Sequence, residues 1–582
     1  MKNISAVLFG QRVVGLLLVF LFLGSAGAYG QAPSWQSVTA IGQLPSTAIA
    51  NKSNITATAT DAGGNVYVAG IFYGSSSFGS TILTSVGDAD VFVAKWSPIS
   101  NGFVWAQRAG GAGSDYTYAL SVSGSSVYVA GAFYSTTASF GAATLTNANA
   151  NGITNDVFVA KLTDAGSTAG FVWAQQAGGL GSESVNTLVA NGNNVYLAGG
   201  FSSLTASFGS IVLTNANTTP MLFGGFDLYV AKLVDAGPSA GFAWATRSGG
   251  TGEEFATGLA VNGTNVYVAA TFSGSAASFG STVLSSAGST DVAVVKLVDT
   301  GTSAGFGWAA RAGGTGADEA QAVTVSGTNL YVVGSFNSAA ATFGPTTLAT
   351  AGDYDIFVAK LVDAGSGGAF AWAQRGGGPT ADYGGAVAVN GVDVYVGGSF
   401  TGGAAGFGNT VLASAGNNDA VVAKLLDAGA TAGFVWAKGA GGSQADCTNA
   451  LTLNGATVYV SGYVSPPASF GLQTITNTVS TVSGFLTALP NAVLASHPAV
   501  ALVDILLFPN PAHGTATIQL PAIPGTATAI LTLLDALGRI LRTQTVSTNA
   551  CAGLDLTELA PGLYAVRVQA GAATAMRRLV VK

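Results

Sequence analysis

Histidine is almost missing from this 582-residue chain: only His497 and His513 occur, and both follow the long repetitive stretch that fills most of it. A serine or cysteine nucleophile in that stretch would therefore need a lysine or carboxylate as its base, and histidine-based metal sites are excluded there. Cysteine is equally scarce. Cys447 and Cys551 are the only two and fall in different modules, so a disulfide framework does not hold the protein together. Both read as small hydrophobes, and nothing in the sequence sets a base beside Cys447. Charge is the third deficit: 8% of residues, 20 basic against 27 acidic, for a formal net charge of -7. Phosphate binding depends on clustered Lys and Arg, and no basic run occurs, so nucleic acid is not an expected partner.

With so little charge and 49% hydrophobic residues, most elements must be covered on both faces. Glycine is abundant, 82 residues without a Gly-X-Y period, and proline is limited to 16, which points to short strands joined by tight turns. Residues 1–30 have the pattern of a secretion signal: Lys2 and Arg12, an apolar run from Val13 to Leu23, then the small residues Gly24 to Ala28. The run is too short for a spanning helix. Cleavage after Gly30 or Ala28 gives a mature start near Gln31, with no transmembrane helix expected in the mature chain.

Tryptophan recurs at 35, 105, 173, 244, 308, 372 and 436, which defines a repeat of 64 to 71 residues. Each unit has four β-rich runs: an Ala-x-x-Val run, a Val-Tyr-Val run, an Asp-x-Phe-Val-Ala-Lys run and a Phe-x-Trp run, with glycine turns between them. The runs are apolar on both faces. A blade of a β-propeller, sandwiched between its neighbours, buries both faces without a helix, whereas the rungs of a parallel β-helix repeat at a much shorter period. Seven sets of the first three runs occur, and Trp35 precedes them all, while the last set ends at Leu489-Pro490 with no Trp run after it. The expected fold is all-β: a seven-bladed propeller over residues 31–490, closed by the N-terminal strand, which removes the open edge.

The segment Gly64-Asn65-Val66-Tyr67-Val68-Ala69-Gly70 and its six echoes, with Gly-Gly-x-Gly-x-Asp before several of them, resembles the bacterial β-propeller repeat family of large secreted proteins. That resemblance implies a fold and leaves activity open. After a linker, 491–502, a different pattern begins: Leu507-Phe-Pro-Asn-Pro-Ala512, Ala529 to Arg539, Leu554 to Leu559, Pro561 to Val568 and Arg578-Leu-Val-Val-Lys582. Short strands with Gly and Pro turns suggest a small β-sandwich over 503–582. The motif order resembles the C-terminal sorting domain of the type IX (Por) secretion system, which implies handling by that machinery, passage through the periplasm of a Gram-negative bacterium, and release or attachment at the cell surface.

Candidate site residues come from acids at fixed repeat positions. Asp115, Glu183, Glu254, Asp318, Asp382 and Asp446 each follow a Gly-Gly turn, where they either bond that turn's backbone or ring the mouth of a central channel as a cation site, with Ca²⁺ the candidate ion. A second set, Asp90, Asp156, Asp227, Asp291, Asp355 and Asp419, opens the run that closes with Lys95, Lys161, Lys232, Lys296, Lys360 and Lys424. It suggests ion pairs or hydrogen bonds that tie blades together. The tryptophans read as packing more than as a sugar platform. No catalytic residue and no required cofactor emerge. The expected function is a non-enzymatic surface or secreted scaffold binding polysaccharide or protein, with the inserts at Asn147 to Asn155 and Asn215 to Gly225 the first places to look. The alternatives are an extracellular hydrolase or lyase, hinted at by Glu253 and Glu319, and a structural surface-layer spacer.

Overall fold

A computed structural model describes residues 32–43, 51–149, 153–217, 225–476, 481–490, 505–521, 527–535, 539–570 and 573–582. The expected signal segment 1–30 and linker 491–502 lie outside the described residues. The protein is all-β and mainly antiparallel, with no helix among the described residues and hence none long and apolar enough to cross a membrane. The chain divides into two compact units, with residues 31–492 in one and 493–582 in the other.

In the larger unit each repeat forms a four-stranded antiparallel set. One set runs Asp318–Ser326, Asn329–Phe336, Asp355–Asp363 and Gly368–Gly376, in that spatial order. Its first hairpin turns through Gly327, whose φ of +63° is a conformation in which a Cβ is strained, so the recurring Gly is a requirement of the turn. The second and third strands are buried along nearly their whole length, as their unbroken apolar runs require. Lys360 is the register point. It stands opposite Tyr331 on one side and Trp372 on the other.

A fifth element goes beyond the four runs of the sequence reading. The Thr-Phe-Gly segment between the second and third strands folds as a short hairpin, Ala341–Phe343 with Thr346–Leu348. Phe343 caps the core from it, 4.8 Å from the Phe357 ring and 5.7 Å from that of Phe370. Thr342 also pairs with Gly313, in the Gly-Gly turn left by the preceding set.

Neighbouring sets meet through their first strands. Thr56 donates its hydroxyl to Thr117 O at 2.7 Å, Asn186 its amide to Ala256 O at 2.8 Å, and Asn390 its amide to Gly455 O at 3.1 Å. Asn449, in the last set, donates to Ile55 O in the first at 2.8 Å, and Thr58 hydrogen-bonds Ser461 at 2.6 Å. The N-terminal strand Gln36–Ala40 pairs antiparallel with Ser483–Pro490, as the fourth strand of the last set.

The smaller unit holds Leu506–His513, Thr515–Gln519 and Cys551–Asp555 in one antiparallel group, and Thr528–Leu534, Ile540–Ser547, Gly562–Ala570 and Ala573–Val581 in another. A parallel contact between Ala512 and Val581 joins them over a core that includes Ile518, Leu531, Leu554, Val566 and Leu579.

Candidate functional site

All six Gly-Gly-turn acids are buried, none more than 1% exposed. Each accepts the backbone N–H of the second glycine, four residues before it: Gly111 to Asp115 at 2.6 Å, Gly179 to Glu183 at 2.9 Å, Gly250 to Glu254 at 3.0 Å, Gly314 to Asp318 at 2.6 Å, Gly378 to Asp382 and Gly442 to Asp446 at 2.7 Å. In most sets the other oxygen reaches the loop after the second strand, as when Ser465 donates its N–H to Asp446 at 2.7 Å and Thr401 its N–H to Asp382 at 3.0 Å. The acid thus staples the turn left by the preceding set to a loop of its own set.

The first glycine of the motif has a different task. At Gly110, with φ +136°, an added Cβ would collide with Asp90 Oδ1 and lie 2.8 Å from Asp115 Oδ2. The same juxtaposition recurs at Gly178, Gly249, Gly313, Gly377 and Gly441. So the two series of acids in the sequence form six separate pairs. In each, Oδ1 of the strand-opening Asp is buried and takes no hydrogen bond from the described residues. Its Oδ2 accepts a backbone N–H and, in four pairs, an arginine: Arg108 to Asp90, Arg247 to Asp227, Arg311 to Asp291 and Arg375 to Asp355. Asp156 has Gln176 instead, and in the set of Asp419 the arginine's register position, opposite Val421, is Gly439. At the junction of the last set with the first, serines replace both acids: Ser53 occupies the turn-acid register and Ser483 the strand-opening one, and Ser53 accepts the Gly484 N–H at 3.0 Å.

Burial and the neighbouring carboxylate push these acids upward. Glu183 rises to about 7, Glu254 to about 8, and Asp382 and Asp446 to about 6, in each case through desolvation first and then through Asp156, Asp227, Asp355 and Asp419 in turn. Asp156 itself rises to about 6 by burial. Among the described residues no group of three or more His, Cys, Asp or Glu side chains is placed to hold a metal ion.

The strand-closing lysines do not pair with the strand-opening acids. Each of five reaches the aspartate that ends the third strand of the next set: Lys95 to Asp164, Lys161 to Asp235, Lys232 to Asp299, Lys296 to Asp363 and Lys360 to Asp427, all at 2.6 to 2.7 Å and buried. The same carboxylate accepts the Tyr hydroxyl of the Val-Tyr-Val run and the indole N–H of the Trp run, as when Tyr267 and Trp308 join Lys296 on Asp363. Burial pushes Asp363 upward, but these donors and the Gly365 N–H outweigh it and hold the carboxyl at about 2. The tie between sets is therefore a four-residue cluster whose acid the sequence reading did not single out. Lys424 departs from the pattern and pairs with Asp393 of its own set at 2.8 Å.

The first strands enclose a cavity of about 830 Å³. Its wall carries amides (Asn54, Asn186, Gln321, Asn449), hydroxyls such as Thr257, and the half-exposed rings of Tyr118 and Tyr383, with no charged side chain among the residues that line it. None of the six turn acids reaches it. Cys447 does, with its thiol pushed up to about 11 by burial and so protonated. The two early inserts are pinned at their bases by asparagines: Asn147 donates to Phe133 O and Thr154 O, and Asn215 to Phe201 O and Gly225 O. Residues 150–152 and 218–224 of those inserts lie outside the described residues. Glu253 accepts the Gly225 N–H at 3.3 Å, and Glu319 lies near Tyr354 and Tyr383.

No curated protein matches the sequence. Among solved structures, PorZ of Porphyromonas gingivalis, a bacterial surface component of the type IX secretion system, aligns at 13% identity over 91% of this chain and 81% of its own, with a TM-score of 0.16. Trypanosoma rangeli sialidase aligns at 8% identity over 94% and 89% of the two chains, with a TM-score of 0.34, and the COPII outer-coat vertex at 10% over 86% and 99%, with a TM-score of 0.35. Scores this low relate neither fold nor function. Residues 506–582, in contrast, match the family model of the secretion system C-terminal sorting domain, and with that domain the chain is one that the type IX secretion system exports to the cell surface or the medium.

Proposed function

We propose that residues 31–490 form a seven-bladed β-propeller closed by the N-terminal strand, and that it serves outside the cell as a non-enzymatic scaffold binding polysaccharide or protein. The ring reading is supported by the pairing of Gln36–Ala40 with Ser483–Pro490 and by the hydrogen bonds from the last set to the first. The observation that carries the binding reading is the cavity wall, rich in neutral amide and hydroxyl groups and free of charge among its lining residues. Such a surface offers donors and acceptors to a neutral polar ligand. A hydrolase or lyase working through channel-mouth carboxylates must present them to the substrate, whereas the repeat's acids are turned into their own loops, and we assign them a structural role. Incubating the mature chain with glycan and protein arrays tests this: retention without turnover is expected, and release of shortened glycan or peptide would overturn the non-enzymatic assignment.

A further inference from the structure

A structural residue in a repeat protein recurs in every unit, while a ligand site breaks the repeat, and tyrosines break it most densely where the first two sets meet. Just past the buried Val-Tyr-Val run, at equivalent positions, stand Tyr73 in the first set and Tyr134 in the second, but Ser202, Ser273, Asn337, Thr401 and Ser465 in the others. The position just after the turn acid is Tyr116 in the second set, as it is Tyr383 in the sixth, and two residues on stands Tyr118, where the other sets place Thr56, Asn186, Thr257, Gln321, Gly385 and Asn449. The fold does not ask for the four together, since no other set combines them and all form the same strands.

The four come together. Tyr116 and Tyr118 lie on the same face of strand Asp115–Ser123, with ring centres 6.4 Å apart and planes inclined by 21°. Tyr134 meets Tyr116 edge-on at 6.1 Å, and Tyr73 lies near enough to Tyr116 for the two phenols to interact. Tyr116 and Tyr134 wall a second cavity of about 540 Å³ that also has Asp88, Ser114, Ser135 and Thr136 on its surface. Tyr118, 41% exposed, stands on the wall of the larger cavity. An aromatic track thus leads from one cavity to the other.

We propose that this track is a binding site for a neutral oligosaccharide. Phenol faces stack on the C–H faces of pyranose rings and keep a hydroxyl for hydrogen bonding, at small entropic cost because the side chain has two torsions. Asp88 and the Ser and Thr hydroxyls supply acceptors and donors for sugar hydroxyls, and the cavity lies within the roughly 300–1,000 Å³ range of small-ligand sites. No Lys or Arg lines it, so sulfated or uronic glycans find no counter-charge there. The inference rests on the scaffold reading above and gives it a site and a ligand class.

The test is affinity electrophoresis and titration calorimetry of the mature chain against a neutral β-glucan, a neutral α-mannan and a polyuronate. Wild type is expected to bind a neutral glycan, Tyr118→Ala and Tyr116→Ala to weaken it tenfold or more, and Tyr118→Phe to retain most of it. Val283→Ala, at an exposed residue that lines neither cavity, is expected to leave it unchanged. Melting curves alongside separate lost binding from lost folding, and the exposed Tyr118 variant is the one that folding defects affect least. If neutral glycan binds equally well to wild type and to both alanine variants, this site is refuted while the scaffold reading survives. Binding only to the polyuronate, or only to protein on the arrays, refutes the ligand class, and no binding to any array refutes both readings.

Discussion

The pair Asp156 and Glu183 offers the sharpest test of how the buried acids are held. Four of the six pairs have an arginine; this one has Gln176, the N–H groups of Ala148, Gly179 and Ser203, and the buried Tyr229 hydroxyl near Glu183. Glu183 ionises near 4.5 in the unfolded chain and at about 7 in the folded one, so the folded state binds the extra proton between those values. Its contribution to stability is whole below pH 4.5, falls as pH rises to about 7, and is flat above. At about 1.4 kcal/mol per pH unit, the loss is about 3 kcal/mol. Glu183→Gln keeps an acceptor for the Gly179 N–H and offers an amide donor to Asp156 Oδ1 without a buried charge. Urea denaturation at pH 5 and pH 9, followed by tryptophan fluorescence, reads only the larger unit, because all eight tryptophans lie before residue 437. Wild type is expected to lose about 3 kcal/mol more than the variant over that span, and the variant to be at least as stable at pH 9. Equal pH dependence in the two proteins, or a wild type that gains stability toward pH 9, would refute the shared-burial account.

Asp363→Ala leaves Lys296 buried without its partner and frees Tyr267 and Trp308, so a loss of about 3–5 kcal/mol in urea denaturation is expected. Gly313→Ala forces a Cβ toward Asp291 Oδ1 at φ +137° and is expected to cost ~1–3 kcal/mol, read in the same assay. Deleting residues 31–42 strips the strand that pairs with Ser483–Pro490, and calorimetry is expected to show a melting temperature lowered by far more than terminal trimming normally causes. Removing residues 503–582 is expected to leave the larger unit folded but retained in the periplasm, and fractionation that finds the truncated chain at the surface would contradict that.

The repeat period, the two-faced burial of the strands, the Gly turns and the order of the C-terminal motifs were all legible from residues alone, because each is a local property: side-chain period, turn chemistry and spacing within one set. Even the offset of Trp35 from the last Val-Tyr-Val run carried the N-terminal strand to its place beside Ser483–Pro490. The partners of the charged residues were not legible. A periodic sequence puts the same residue types at the same offsets in every unit, so Lys296 is five residues from Asp291 and 67 from Asp363, and nothing in that series says which acid it meets. The choice belongs to the packing of one set on the next, which turns Lys296, Tyr267 and Trp308 outward onto the neighbouring strand end and turns Asp291 inward against Asp318 over Gly313. The tyrosine track has the same origin: Tyr73, Tyr116, Tyr118 and Tyr134 are spread over 62 positions of sequence, and only the contact between the first two sets makes them one surface.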